Sequence, residues 1–459
     1  MRLSSLALLF STAMATAAFA QSQAPEEDPY LWLEDVTGEK ALAWVKQQNA
    51  DSKKVLETQP EFAGLRDDIR GILDSNVRIP YVNKQGDFYY NFWRDKTNPA
   101  GIWRRTTLAE YRKAQPAWEV LLDVDALNKT EKENWVWHGA NCLRPAYTQC
   151  LIALSRGGAD ADVTREFNLA NKEWVKGGFF RPEAKGRLSW INADTVYVST
   201  DFGAGSMTES GYARIAKTWT RGTAMSAAKT VYEGQAKDLG VGAYHDDTPG
   251  FERDFVSRNI AFYNDELYHR TIDGGLTKID APNSANKSVY REWLSLELRE
   301  PYTANGKTYA AGSLIVTKFD DFMKGGRNFD VLFEPSETTS LVGFSPTKNH
   351  FILNVLDNVK NRLHVLTHND KGWARESLKG APNFGTVSAS GIDPEDSDEY
   401  FLTVTDYVTP TALMLGTVGK NPETLKQLPA FFDAKDLKIQ QFFATSKDGT
   451  KVPYFMVSN

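Results

Sequence analysis

Acid–base chemistry in this chain would have to draw on six histidines: His138, His245, His269, His350, His364 and His368. A metal centre needs several such donors converging, and nucleophilic hydrolysis needs one beside an activated hydroxyl or thiol. His364 and His368 stand four apart in "NRLHVLTH", which alternates like a strand. That spacing sets them on one strand face about 13 Å apart, too far to share an ion. They read as structural or solvent-facing. "YHDDTPGFERDF", residues 244–255, gathers one histidine with several carboxylates. It reads as a solvated loop, with cation binding as an alternative.

No Gly-x-Ser-x-Gly nucleophile elbow occurs. The nearest string, "GFSPT" at Gly343–Thr347, lacks the second glycine, and Ser-Pro is ordinary turn chemistry. No phosphate loop and no Gly-x-Gly-x-x-Gly opens a helix. The Gly-rich stretch 200–223, "TDFGAGSMTESGYARIAKTWTRGT", could suggest anion binding but runs into no helix. It reads as a long connection between strands of one sheet. The residues therefore imply no catalytic group, no metal site and no cofactor.

Cys142 and Cys150, in "NCLRPAYTQC", are the only cysteines. Eight positions with Pro145 between them suit two neighbouring strands joined by a loop, which favours a disulfide; two free buried thiols are the alternative. Without a nearby histidine they make a poor metal site.

Two element types must position these residues. Over 28–76 the apolar period is that of a helix. Ala41, Leu42, Trp44 and Val45 follow a predicted N-cap at Thr37, with Glu39 in the first turn. Phe62, Leu65, Ile69 and Ile72 repeat at spacings of three and four. Pro80 closes the region. From Tyr81 to about Pro429 the period becomes two: Trp135 and Trp137; Val196 and Val198; Leu294, Leu296 and Leu298; Phe351, Leu353 and Val355; Tyr400, Leu402 and Val404. Turn clusters such as "IDGG", "MKGGRN" and "DPEDSDE" separate the runs. Such a length of short strands exceeds one sandwich of roughly 100 residues. A radial array of four-stranded blades fits better, because each blade buries its faces on its neighbours. Seven blades are predicted near 81–130, 133–180, 186–235, 243–290, 292–335, 340–380 and 384–430; a β-helix or two stacked sandwiches are the alternatives. In such a ring, 244–255 could also shape the propeller mouth. At the end, "SKDGTKVPYFMVSN" predicts a two-residue hairpin turn at Asp448-Gly449 and a buried-type strand over Val452–Val457.

The bulk properties restrict partners and compartment. The 12 Trp, 18 Tyr and 25 Phe lean towards β-structure. A net charge of -6, with no basic block, argues against nucleic acid and anionic membranes. Arg2, the apolar run from Leu6 to Phe10 and Ala18-Phe19-Ala20 match a signal peptide cleaved after Ala20, too short for a membrane span. The expectation is an exported chain, periplasmic or secreted, free of the membrane after cleavage and monomeric. Export also suits the disulfide.

Three stretches carry a family resemblance. "DPYLWLEDVTGEKALAWVKQQN" at 28–49 resembles the N-terminal signature of the prolyl oligopeptidase family of serine peptidases, the S9 family. "SRGGADADVTREFNL" at 155–169, with the 200–223 block, resembles propeller segments of its members. "QQFFATSKDGTKVPYFMV" resembles the point where such chains leave the propeller for an α/β-hydrolase domain. The resemblance implies a mainly β fold. Its domains are a signal peptide (1–20), a helical segment packing on the hydrolase domain (21–78), a seven-bladed propeller (79–430) and the first strands of a hydrolase domain (431–459). It further implies that the serine, aspartate and histidine of the triad lie beyond Asn459, so that this chain is the inactive front portion of an endopeptidase. The substrates implied are short peptides. "WLED" leans towards the proline-specific branch, with a basic-residue-specific relative as the alternative. A stand-alone propeller acting as a binding module is the competing reading. It would strand the apolar faces of 28–76 and of the last strand.

Overall fold

The computed structural model describes residues 28–382, 385–430 and 432–459. The predicted signal peptide lies outside them. Among the described residues no helix is long and apolar enough to cross a membrane.

The chain divides into two compact units, one up to Asp74 and one from Ser75 onwards. The first holds a 3₁₀ turn (Leu31–Glu34) and two helices, α1 (Glu39–Leu56) and α2 (Phe62–Leu73). Gly38, not Thr37, caps α1, and it makes no side-chain cap bond. Gly38 instead donates its backbone N–H to Asp35 O at 3.0 Å, so the chain turns into the helix one residue later than the sequence suggests. Trp32 meets Trp44 edge-to-face at 6.1 Å, and the Lys40 ammonium lies over the Trp32 ring. Leu42, Val45, Leu65, Ile69 and Ile72 remain exposed.

The second unit is mainly β and carries a seven-bladed propeller. Its sheets span 83–123, 135–184, 187–233, 240–278, 286–333, 339–377 and 386–427. Each runs antiparallel in sequence order; the second adds a fifth strand, and the fifth carries an extra hairpin, Tyr302–Ala304 with Lys307–Tyr309. Asn286–Tyr290 opens the fifth blade instead of ending the fourth. Its two-residue turn to Trp293 is made by Arg291 at φ +51° and Glu292, with no glycine or asparagine to mark it.

Buried apolar side chains form one cluster at each junction between successive blades. Trp135 and Ile152 join Tyr90 and Trp103 between the first two blades; Leu294 and Ile315 join Phe255 and Leu267 between the fourth and fifth. This explains the near-continuous apolar runs: a blade's second strand is covered on both faces, as in the burial of Val196–Ser199. The ring closes where Tyr111 and Ile79 meet Leu413, Leu415 and Leu425. No strand is shared there, because each blade is built of its own consecutive strands.

The last two strands, Lys438–Thr445 and Lys451–Ser458, form a separate two-stranded sheet. Their turn takes five residues, not two: Gly449 sits at φ +89° and the Asp448 carboxylate accepts from Thr450 N. Phe443, Val452 and Tyr454 are about half exposed, so this strand is not buried by the described residues. The hairpin rests on the propeller through Gln441, which donates to Asn358 O at 2.7 Å, and through Phe455 against Tyr407.

Candidate functional site

Successive blades connect at one end of the ring, and the turns from first to second strand lie at the other. Side chains from non-adjacent blades can meet only on the axis. Arg144, in the turn of the second blade, pairs with Glu395 in the turn of the seventh and reaches Asp396 at 3.4 Å and Asp393 at 3.9 Å. Lys84 of the first blade holds Asp393 at 3.0 Å. From the fifth blade, the Tyr290 hydroxyl donates to Pro394 O in the seventh. These turns therefore converge across one mouth of the axial channel.

Local structure fixes each contributor. The Arg144 turn is closed by the Cys142–Cys150 disulfide, whose cysteines are direct cross-strand partners. The seventh-blade turn coils on itself through Ser397 N to Asp393 O at 2.9 Å. It is then tied to the sixth blade, where Asp398 accepts from Asn349 N and Nδ2, both at 2.8 Å, and from Thr347 Oγ1 at 2.9 Å.

Charge at this mouth is unbalanced. Asp246, Asp247, Asp393, Glu395 and Asp396 face Arg144 and Lys84. Glu395 shows which effect wins. Burial, reinforced by repulsion from Asp247, Asp393 and Asp246, outweighs the attraction of Arg144 and pushes its carboxyl up to about 7.

Beside this mouth lies a cavity of about 410 Å³ lined by residues of the second, third and fourth blades, including Asn141, Trp190, Tyr244 and Asp247. Two hydrogen bonds stitch the wall together: Trp190 Nε1 to Asn141 O, and Ser189 Oγ to Ala243 O, both at 2.9 Å. His245 Nδ1 stands 3.1 Å from Asp254 Oδ1, which also accepts from the Tyr197 hydroxyl at 2.8 Å. That carboxylate raises His245, the first cause being its hydrogen bond.

The 244–255 stretch is thus the turn of the fourth blade, and Asp246 and Asp247 act on the mouth across the axis. The 200–223 stretch begins as the connection between Thr195–Ser199 and Ile215–Thr220 within the third blade. His364 and His368 share one strand, Lys360–Asn369, and His368 packs between Trp293 and Trp373. His138 pairs with Asp162, and His269 packs on Phe255 and Phe319. No cluster of metal-ligating side chains occurs among the described residues. Arg144 and Glu395 carry no sequence signature. The acid-rich "DPEDSDE" reads as a turn, and only the ring brings it to an arginine some 250 residues away.

The family model for the prolyl oligopeptidase N-terminal beta-propeller domain matches residues 15–249. An uncharacterized peptidase of Sinorhizobium fredii is 35% identical over 97% of this chain and 63% of its own length. The prolyl endopeptidase of Elizabethkingia meningoseptica is 24% identical over 93% of this chain and 58% of its own. Among solved structures, a post-proline cleaving enzyme from Rickettsia typhi superposes with a TM-score of 0.84 at 29% identity, covering 93% of this chain and 64% of that one. The chain therefore spans about three fifths of the length of the relatives it matches. With half of its length matched by the family model and its fold shared with these peptidases, the chain belongs to the prolyl oligopeptidase family.

Proposed function

We propose that this chain is the propeller portion of an exported serine endopeptidase acting on short, proline-containing peptides, and that the propeller screens what reaches the active site. The single observation that carries the screening role is the convergence of turns from non-adjacent blades over one mouth of the channel, led by Arg144 and Glu395. A mouth closed by side chains and short turns passes a thin, flexible chain and rejects a folded domain. In this reading the acyl-transfer chemistry, with its serine, histidine base and oxyanion hole, belongs to a hydrolase domain, and the propeller contributes no catalytic residue. The helices of the first unit would pack on that domain. The chain would work as a monomer in the periplasm or outside the cell.

The test compares this chain with a protein extended to the length of its relatives, using one fluorogenic proline-containing peptide. Serine-inhibitor-sensitive turnover is expected only from the longer protein. Robust turnover by residues 28–459 alone would misplace the active site. Shortening the Arg144 turn of the longer protein should widen the range of peptide lengths cleaved; an unchanged length limit would remove the screening role.

A further inference from the structure

At the end of the ring where blades connect, a second cavity of about 510 Å³ opens between the third and fourth blades. The hairpin 438–458 rests on this same end, through the strand-connecting turns at Asn358 and Tyr407. Two cations and two rings border the cavity: Lys185, Arg187, Tyr212 and Phe262. Lys185 is already engaged, 3.6 Å from Asp160 and over the Tyr212 ring. Arg187 is different. It is exposed, and its guanidinium makes no ion pair among the described residues. It also borders the cavity beside the axial mouth. The nearby Tyr244 phenol, pushed up to about 12 first of all by burial, is neutral near pH 7 and supplies no counter-charge. Asp160 and Asp247 line these spaces with Arg187, but neither forms an ion pair with it among the described residues. Phe262 is 89% exposed at the rim, so its ring is open to a ligand. Gly186 holds this wall in place: a Cβ there would approach Ser199 O to 2.3 Å, so the backbone between the two cations packs directly on the neighbouring strand.

We infer that this cavity takes a peptide carboxylate, with Arg187 as its counter-charge and the Phe262 and Tyr212 rings receiving an adjacent apolar side chain. The planar guanidinium fork matches a carboxylate in two parallel hydrogen bonds. The choice of a peptide as ligand rests on the peptidase reading above. The carboxylate is either the chain terminus or an acidic side chain, and the arms of the experiment separate the two.

Three peptides are titrated into this chain by calorimetry at low salt: acetyl-Phe-Ala-Ala as the free acid, the same peptide as its C-terminal amide, and acetyl-Phe-Glu-Ala amide. At least one acidic peptide is expected to bind about tenfold more tightly than the neutral amide, the size of one charge-assisted hydrogen-bond pair. Preference for the free acid assigns the terminus; preference for the glutamyl peptide assigns the side chain. Arg187→Gln should abolish the advantage, and Arg187→Lys should restore only part of it, because an ammonium lacks the fork. An unchanged melting temperature in both variants confirms that the loss is local. Equal affinity for all three peptides, an advantage that survives Arg187→Gln, or no binding of any peptide up to about 10 mM would each overturn the inference. Binding is read without turnover, so its failure leaves the peptidase reading to stand or fall on hydrolysis.

Discussion

At the residue scale, the sharpest consequence of the axial mouth is a pH dependence. Glu395 has its carboxyl raised above the ordinary glutamate value, to about 7, by burial and then by nearby carboxylates. The native state therefore binds this proton more tightly than the unfolded chain does. The stabilisation is complete below the unfolded value and is lost as pH rises through about 7. Glu395→Gln keeps the shape and removes the titration. It is expected to stabilise the protein by about 1–3 kcal/mol at pH ~8 and to change it little near pH ~5. Melting curves across that range check it: a variant whose stability tracks the wild type at every pH would remove Glu395 as the source. Arg144→Met has the opposite sign. It leaves Glu395, Asp393 and Asp396 facing one another, with Lys84 the one other cation paired to them among the described residues. The loss should be larger at pH ~8 than at pH ~5, because the repulsion grows as the carboxyls ionise. Equal losses at both pH values would mean that Arg144 serves packing instead of charge.

At the element scale, the Arg144 turn depends on the bond that closes it. Cys142 and Cys150 are register partners at the base of the turn, and both are buried. Replacing both by serine reopens a short loop in the unfolded chain, which the chain-entropy account values at about 2–3 kcal/mol. The expectation is a lower melting temperature together with weaker pH dependence, since Arg144 is no longer held against Glu395. A lower melting temperature with the pH dependence intact would mean that the turn keeps its shape unaided. This bond shows how far sequence reaches. Two cysteines spaced across a proline turn are enough to suggest pairing of neighbouring strands. The second strands of the blades are equally legible, because burial on both faces leaves runs such as Leu294–Leu296 and Phe351–Val355. Fourth strands are not: Leu276–Lys278 is three residues long and half in solvent, so no apolar period survives. The boundary at Arg291 was hidden for a related reason, its left-handed turn residue being an arginine. The mouth itself was illegible because its members come from turns hundreds of residues apart, and only the ring's curvature brings Arg144 to Glu395.

For the whole molecule, the junction that closes the ring differs from the other six. It joins the two ends of the propeller, so no covalent connection between its blades reinforces it. Among the described residues its buried cluster has five members, as has that between the third and fourth blades, against thirteen between the first and second. Polar contacts supplement it: Arg112 with Glu423 at 2.7 Å and Lys84 with Asp393 at 3.0 Å. The first of these is half exposed and contributes little. The apolar cluster must then carry most of the closure. Leu413 belongs to it and is 2% exposed. Leu413→Ala should cost about 2–4 kcal/mol through lost burial and the cavity left behind. A similar figure holds for any buried leucine, so the distinguishing readout is where the structure loosens. Hydrogen exchange in Leu413→Ala should accelerate first in the strands of the first and seventh blades, with the third and fourth blades unchanged. The matched control is Leu294→Ala, buried between the fourth and fifth blades, which should loosen its own junction without opening the ring because the chain runs continuously across it. If both variants exchange uniformly around the ring, the propeller unfolds as one cooperative body and the seam is no weaker than its neighbours. If only Leu413→Ala opens locally, the ring has a preferred line of parting, and it runs beside the Lys84–Asp393 pair that flanks the axial mouth.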